Sequence, residues 1–286
     1  MLVSMKQMLE DARKGGYAVM AINCFNLETM RTVIRAAKAE HSPIIINILQ
    51  DHLQAHGDPY IYAMLASHLA QQTDMDVALN LDHGRDPELL KAVLDAGFTS
   101  VMADFSALPL EENIRETRKI ADYAHSLGAS IEAELGGMGS TENAAELTGT
   151  QMMTDPALAA RFAEETDIDC LAVSYGSSHG TYADGYVPVF DFDRLKKIHE
   201  TTDLPLVLHG GSGSGKDNVI NSVANGICKI NVGCDFMNAN REAVKKHMQE
   251  NPEVNYFDLM DAAEYDADAI IRQYINWAGC AGKGRK

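Results

Sequence analysis

Histidine occurs ten times in this chain of 286 residues, and three of those histidines share one setting. Asn80-Leu81-Asp82-His83-Gly84, Gly176-Ser177-Ser178-His179-Gly180 and Val207-Leu208-His209-Gly210-Gly211 each place the imidazole just past an apolar run, where the chain turns at glycine. Imidazoles at such ends can converge on one ion, and catalytic zinc commonly takes three protein ligands and leaves one position open. The rival explanation is three unrelated histidines, since a lone His-Gly is a weak signal. Asp82 adjoins His83, where a carboxylate can stand beside an ion without binding it, a natural place for a general acid or base. Glu132 and Glu134, two apart in an apolar run, share one face of an extended chain. Two carboxylates turned into a core need a partner, which favours polar or metal-assisted chemistry over packing. Asp104 fits an outer ligand, a second-cation ligand or a turn cap.

The elements that must position these residues are legible as eight short apolar, partly β-branched runs. They are Ala18–Ile22, Ile44–Leu49, Val77–Leu81, Ser100–Ala103, Ser130–Leu135, Cys170–Ser174, Pro205–Leu208 and Cys228–Val232. Several are apolar at consecutive positions, as strands covered on both faces are. Helical spacing fills the intervals: Met30, Val33, Ile34 and Ala37 fall on one face, as do Ile114, Thr117, Ile120, Ala121 and Ala124. Asp86-Pro87 and Asp155-Pro156 read as helix starts, and Gly97 and Gly128 as helix stops. Eight strand–helix units predict either a closed parallel barrel or a doubly wound sheet. The barrel makes the histidines coherent, because they end the third, sixth and seventh strands and the working face of such a barrel is built from strand C-termini. The expected fold is therefore an α/β (β/α)8 TIM barrel, one domain over residues 1–286, with an extra C-terminal helix from about Phe257 to Trp277. That helix packs outside the ring or on a neighbouring subunit.

Composition narrows the partners. The net charge of −17 leaves no basic stripe to neutralise phosphates, so a nucleic-acid partner is not expected. An anionic substrate must then be held by local dipoles against the global field. The five cysteines form no CxxC pair and read as reduced thiols of a cytoplasmic protein. No run of 18 apolar residues occurs and the first residues lack a signal-peptide core, so neither a membrane span nor a targeting segment is expected.

Three further stretches invite chemistry. Gly210-Gly211-Ser212-Gly213-Ser214-Gly215-Lys216 nearly matches the nucleotide P-loop, but Asp217 stands where the Mg²⁺-binding hydroxyl belongs. A glycine-rich turn after a seventh barrel strand is better explained as a phosphate cradle shared with the next loop, Lys229 to Asp235. His52 and His56 have metal-binding i, i+4 spacing. They lack the HExxH glutamate and meet Gly57-Asp58-Pro59 at once, which predicts a solvated loop. The long, polar, glycine-rich connection 136–154 reads as a lid or binding loop.

From about Met5 to Val244 the chain resembles the class II, metal-dependent fructose-bisphosphate and tagatose-bisphosphate aldolases. Leu81 to Gly84, Gly97 to Met102, Glu111-Glu112-Asn113, Glu132 to Gly136, Gly176 to Gly180, Leu206 to Gly211 and Lys229 to Val232 carry the resemblance. It implies that His83, His179 and His209 bind the catalytic ion, Zn²⁺ or another divalent metal. Asp82 would exchange a proton with the substrate C4 hydroxyl, and Glu142 would handle the proton at C3. Gly180, Gly210, Gly211, Ser212, Asn231 and Cys234 would hold the dihydroxyacetone-phosphate end. Asp104 and Glu134 would serve a second site near the first, including one for a monovalent cation. A phosphosugar substrate and a homodimer or homotetramer complete the implied picture.

The departures from that family's pattern lie mostly around the phosphates. Cys234 stands where threonine is usual, and thiol is the weaker donor. Gly233 and Ala183 are nearer the tagatose type, and Ala107 takes a position where histidine is common. Leu49-Gln50-Asp51 replaces the serine-containing turn after the second strand, and the Asp-Pro-Arg expected near Asn255-Tyr256-Phe257 is absent. Losing an arginine contact worth roughly 1.5–3 kcal/mol disfavours a second phosphate. The expected activity is reversible cleavage of a ketose phosphate to dihydroxyacetone phosphate and an aldehyde, the latter unphosphorylated or bearing another group. The competing reading is a non-catalytic phosphosugar-binding partner or regulator of an aldolase.

Overall fold

The computed structural model of the protein describes residues 2–137, 153–180, 182–183 and 185–284. Eight parallel strands close on themselves in chain order: β1 (Val19–Asn23), β2 (Ile44–Leu49), β3 (Val77–Gly84), β4 (Ser100–Ala103), β5 (Ser130–Leu135), β6 (Cys170–Val173), β7 (Leu206–Leu208) and β8 (Ile227–Val232). Closure is made by β1 lying between β2 and β8, with Ala21 opposite both Ile45 and Asn231. The runs of consecutive apolar residues are buried along their length, as strands wedged between side-chain layers and outer helices must be.

Between the strands run α1 (Met5–Gly15), α2 (Leu27–Ala39), α3 (Gln50–His56), α4 (Pro59–Ala70), α5 (Pro87–Asp95), α6 (Leu110–Ser126), α7 (Pro156–Thr166), α8 (Phe192–Thr201), α9 (Lys216–Ala224), α10 (Cys234–Glu250) and α11 (Tyr256–Trp277). The proline starts hold: Asp86 and Asp155 cap α5 and α7 through their side chains, with Pro87 and Pro156 in the first turn. The extra helix α11 packs outside the ring of its own chain, against α10 and α2. From there Tyr274 reaches inward and donates its hydroxyl to Asp235 at 2.7 Å. Among the described residues no helix is long and apolar enough to cross a membrane.

Two local expectations are corrected. His52 and His56 lie in the helix α3 and not in a solvated loop, because Gly57 stops the chain only after a full turn and Leu53 and Gln50 are buried beneath it. β3 runs on to Gly84, so His83 lies inside the strand. The β3–β4 register advances from Leu81↔Val101 to Gly84↔Ala103, which leaves one extra residue on β3. Such a bulge re-aims side chains at a barrel rim.

Candidate active site

The bulge is what turns Asp82 and His83 into the mouth of the barrel. His83 takes φ 51°, a left-handed conformation that is rare without glycine. Strain of this kind persists only where the surroundings over-determine it. His179 follows β6 and His209 follows β7, and the three rings meet with centroids 4.8 Å (83–179), 4.7 Å (83–209) and 5.7 Å (179–209) apart. One nitrogen from each lies within 4.8 Å of the others. Barrel geometry thus gathers side chains that are up to 126 residues apart in sequence.

Hydrogen bonds decide which nitrogens face inward. His83 Nδ1 stands 2.8 Å from Asp104 Oδ2, and His209 Nε2 stands 2.7 Å from Glu132 Oε1. Carboxylates only accept, so each of those nitrogens carries its ring's proton. That leaves His83 Nε2 and His209 Nδ1 facing each other at 3.0 Å. His179 Nε2 is buried beside them with no hydrogen-bond partner among the described residues. Two lone pairs at that distance repel unless a positive charge, either a shared proton or a metal ion, lies between them. Nitrogens held tetrahedrally at about 2.0–2.1 Å from a zinc ion stand roughly 3.4 Å apart. The donor set and its spacing fit a divalent cation.

The electrostatics point the same way. Burial disfavours a charged His83, yet Asp82, Asp104 and Glu134 outweigh it and raise the imidazole to about 9. Burial and the neighbouring His83 push His179 down to about 4, and they hold His209 well below its ordinary value. Burial, reinforced by Asp104, lifts Glu134 up to about 8. In the metal-free protein His83 therefore carries the site's positive charge, as a second proton on the Nε2 that faces His209 Nδ1; a bound cation would take the place of that proton. Asp104 and Glu134 form with His83 a second metal-capable group, so the two groups share one ligand.

Asp82 is buried beside this centre and accepts from the Asn23 amide at 2.8 Å and the Asn231 amide at 3.0 Å. Burial would raise its carboxyl, but His83, His209, Lys229 and the Asn23 hydrogen bond together hold it below the usual range. It is an ionised carboxylate with a fixed orientation.

The glycine-rich loop after β7 is built on close approach. Gly210 has φ 66°, and a Cβ there would lie 2.4 Å from the Ser178 carbonyl oxygen; one on Gly211 would lie 2.7 Å from the Asn231 carbonyl oxygen. Gly180 also has a positive φ, 102°. The Ser212 hydroxyl accepts from the N–H groups of Gly233 and Asp235, each at 3.2 Å, which ties the β7 loop to the β8 loop and leaves its own proton to donate. Cys234 opens α10, whose N-terminus faces this junction. Asn231 directs its side chain to Asp82 and Lys229 and accepts the Gly211 N–H through its carbonyl at 3.1 Å. At the rim, Asp51 is paired with Arg85 at 2.9 Å, with both side chains largely in water. Glu142 lies outside the described residues.

Sequence reasoning missed Asn23, Lys229 and the particular partners of Glu132. The available signal was a polar side chain within or at the end of an apolar strand, at Asn23 in β1 and at Lys229 in β8.

The family described as fructose-bisphosphate aldolase class-II matches residues 3–283, and the chain belongs to it. Among solved structures, the YdjI aldolase from Escherichia coli K12 is 31% identical, with full coverage of both chains and a TM-score of 0.87. A putative fructose-1,6-biphosphate aldolase from Coccidioides immitis is 29% identical over 97% of this chain and 96% of its own, with a TM-score of 0.84. The fructose-bisphosphate aldolase from Campylobacter jejuni is 23% identical over 99% of this chain and 97% of its own, at TM-score 0.83, and shares the fold.

Proposed function

We propose that this member of the aldolase family is a zinc-dependent enzyme that reversibly cleaves a ketose phosphate, of the fructose- or tagatose-phosphate kind, to dihydroxyacetone phosphate and an aldehyde. The observation that carries the reading is the convergence of three imidazole nitrogens beside an ionised Asp82 held by two amides. His83, His179 and His209 would hold the ion; Asp104 and Glu134 would hold a second cation. When bound, the ion supplies Lewis-acid polarisation of the ketone and offsets the oxyanion that develops there.

The chain's own groups do the rest. Asp82 takes the proton of the C4 hydroxyl as the C3–C4 bond parts, and the hydroxyl oxygen becomes the aldehyde carbonyl. Its low-lying carboxyl keeps it ready as a base. Glu142 is assigned the return of a proton to C3. Gly180, Gly210, Gly211, Ser212 and Cys234 would seat the phosphate on backbone N–H groups and one hydroxyl at the start of α10, with Asn231 closing the pocket floor. Helix N-termini suit that charge. It is local donors of this kind that must overcome a net charge of −17.

The aldehyde half is read as unphosphorylated or bearing another group. Asp51 already occupies Arg85, so this pair offers no free cation to a second phosphate. A cytoplasmic homodimer or homotetramer, with the whole chain as one catalytic domain, belongs to the same reading. Ketose 1-phosphates and 1,6-bisphosphates are to be assayed with added Zn²⁺, reading out triose phosphate. Faster turnover of the monophosphates is expected. A strong preference for bisphosphates would overturn the assignment of the aldehyde half, and no triose phosphate from any ketose phosphate would overturn the function.

A further inference from the structure

The centre of the barrel holds an ion pair that the chemistry above does not use. Glu132 on β5 and Lys229 on β8 are both fully buried, with Nζ 2.7 Å from Oε2. Removing two opposite charges from water costs more than their mutual attraction commonly returns, and such pairs are often replaced by apolar residues without loss of stability. Its placement suggests a use other than holding the barrel together.

The pair sits at the middle of one hydrogen-bonded chain. Glu132 Oε1 meets His209 Nε2 at 2.7 Å, and Oε2 takes the Lys229 ammonium. Lys229 also donates to Asn231 Oδ1 at 2.7 Å, and Asn231 Nδ2 donates to Asp82 Oδ1 at 3.0 Å. Each link has one permitted direction. Ammonium can only donate and carboxylate can only accept, so the Asn231 amide is pinned with its oxygen to Lys229 and its nitrogen to Asp82. Two groups compete for His209 Nε2, the Glu132 carboxylate at 2.7 Å and the Asn231 amide nitrogen at 3.2 Å. The closer, charged acceptor sets the proton on Nε2, which turns the Nδ1 lone pair toward His83 Nε2.

We propose that Lys229 and Glu132 are positioning residues that orient, from one buried ammonium, both the third metal-binding histidine and the proton-carrying Asp82. Glu132 selects the His209 tautomer whose Nδ1 can bind an ion, and Lys229 fixes the amide that aims Asp82. The inference rests on the proposed metal site, and both side chains are fully buried. Carboxylates behind ligating histidines typically set metal affinity by 10–100-fold.

The test compares wild type, Glu132→Gln and a double variant, Glu132→Leu with Lys229→Met, whose apolar pair keeps the core filled. Three properties are read: zinc affinity by competition with a chromophoric chelator, the visible spectrum of the Co²⁺-loaded protein, and the His209 tautomer by long-range ¹H–¹⁵N correlation in the metal-free protein. The wild type is expected to carry the Nε2–H tautomer. Both variants are expected to bind zinc about 10–100-fold more weakly and to give an altered cobalt spectrum, and the double variant also to lose kcat at saturating zinc. If the double variant does not fold, the Glu132→Gln readings decide alone. Folded variants with wild-type affinity, spectrum and tautomer would overturn the positioning role while leaving the metal site standing. A wild type that binds no zinc would instead overturn the site itself.

Discussion

Each end of the barrel carries a histidine paired with an aspartate, and the two pairs differ in what is left over. At the N-terminal end, His125 Nε2 meets Asp169 Oδ2 at 3.0 Å, and the same carboxylate accepts the Ile131 N–H at 2.8 Å and the Lys6 ammonium at 2.9 Å. That carboxylate has both oxygens engaged, so the cluster locks α1 and α6 against the strands. At the C-terminal end, His83 meets Asp104 at 2.8 Å, yet Glu134 Oε2 and His179 Nε2 remain buried without partners among the described residues, and His83 is held at φ 51°. The residue types match; the difference lies in unsatisfied, directed atoms and strained backbone. Asp104 is itself engaged at both oxygens, by His83 and by Ser106, so the paired carboxylate does not separate the two ends. What marks the site is the lone pairs of Glu134 and His179 left beside that pair.

The comparison can be broken most sharply by Asp82→Asn. Loss of this base is expected to lower kcat by about 10²–10⁴-fold, with zinc affinity largely kept because the three imidazoles remain. Steady-state kinetics on metal-loaded protein reads this, and an unchanged kcat would remove Asp82 from the proton path. Gly210→Ala should come next. Its φ of 66° and the 2.4 Å approach to Ser178 oxygen leave no room for a methyl group. Strain of about 1–3 kcal/mol should appear as a lower melting temperature and a raised KM for phosphorylated substrate. The smallest effect belongs to the opposite end: His125→Ala should cost about 1 kcal/mol of stability in denaturant titration and leave kcat and zinc affinity untouched. A fall in zinc affinity there would mean the two ends are not separate in function.

Most of the architecture was legible because strands buried on both faces write themselves as apolar runs. Ser100–Ala103 and Ser130–Leu135 appear with the boundaries the runs suggest. Legibility failed where neighbouring strands decide the outcome. The extension of β3 through His83 depends on its register with β4, which no local pattern encodes. The three histidines were recognisable from their setting, whereas the roles of Asn23 and Lys229 needed barrel closure. β1 and β8 are adjacent only once the ring is shut, and only then do Asn23 and Asn231 flank Asp82. The α3 helix escapes a local reading because it starts at Gln50, directly after β2, so that seven residues fit ahead of the Gly57-Asp58-Pro59 stop.

The central claim is that His83, His179 and His209 share one divalent ion on which activity depends. Its most direct test is titration of zinc into chelator-stripped protein, following bound metal and ketose-phosphate cleavage together, for the wild type and for His209→Ala. The expected result is one tightly bound ion whose uptake restores cleavage in proportion, with both lost in the variant. Cleavage that persists in the stripped protein, or tight zinc binding retained after His209 is removed, would contradict the account.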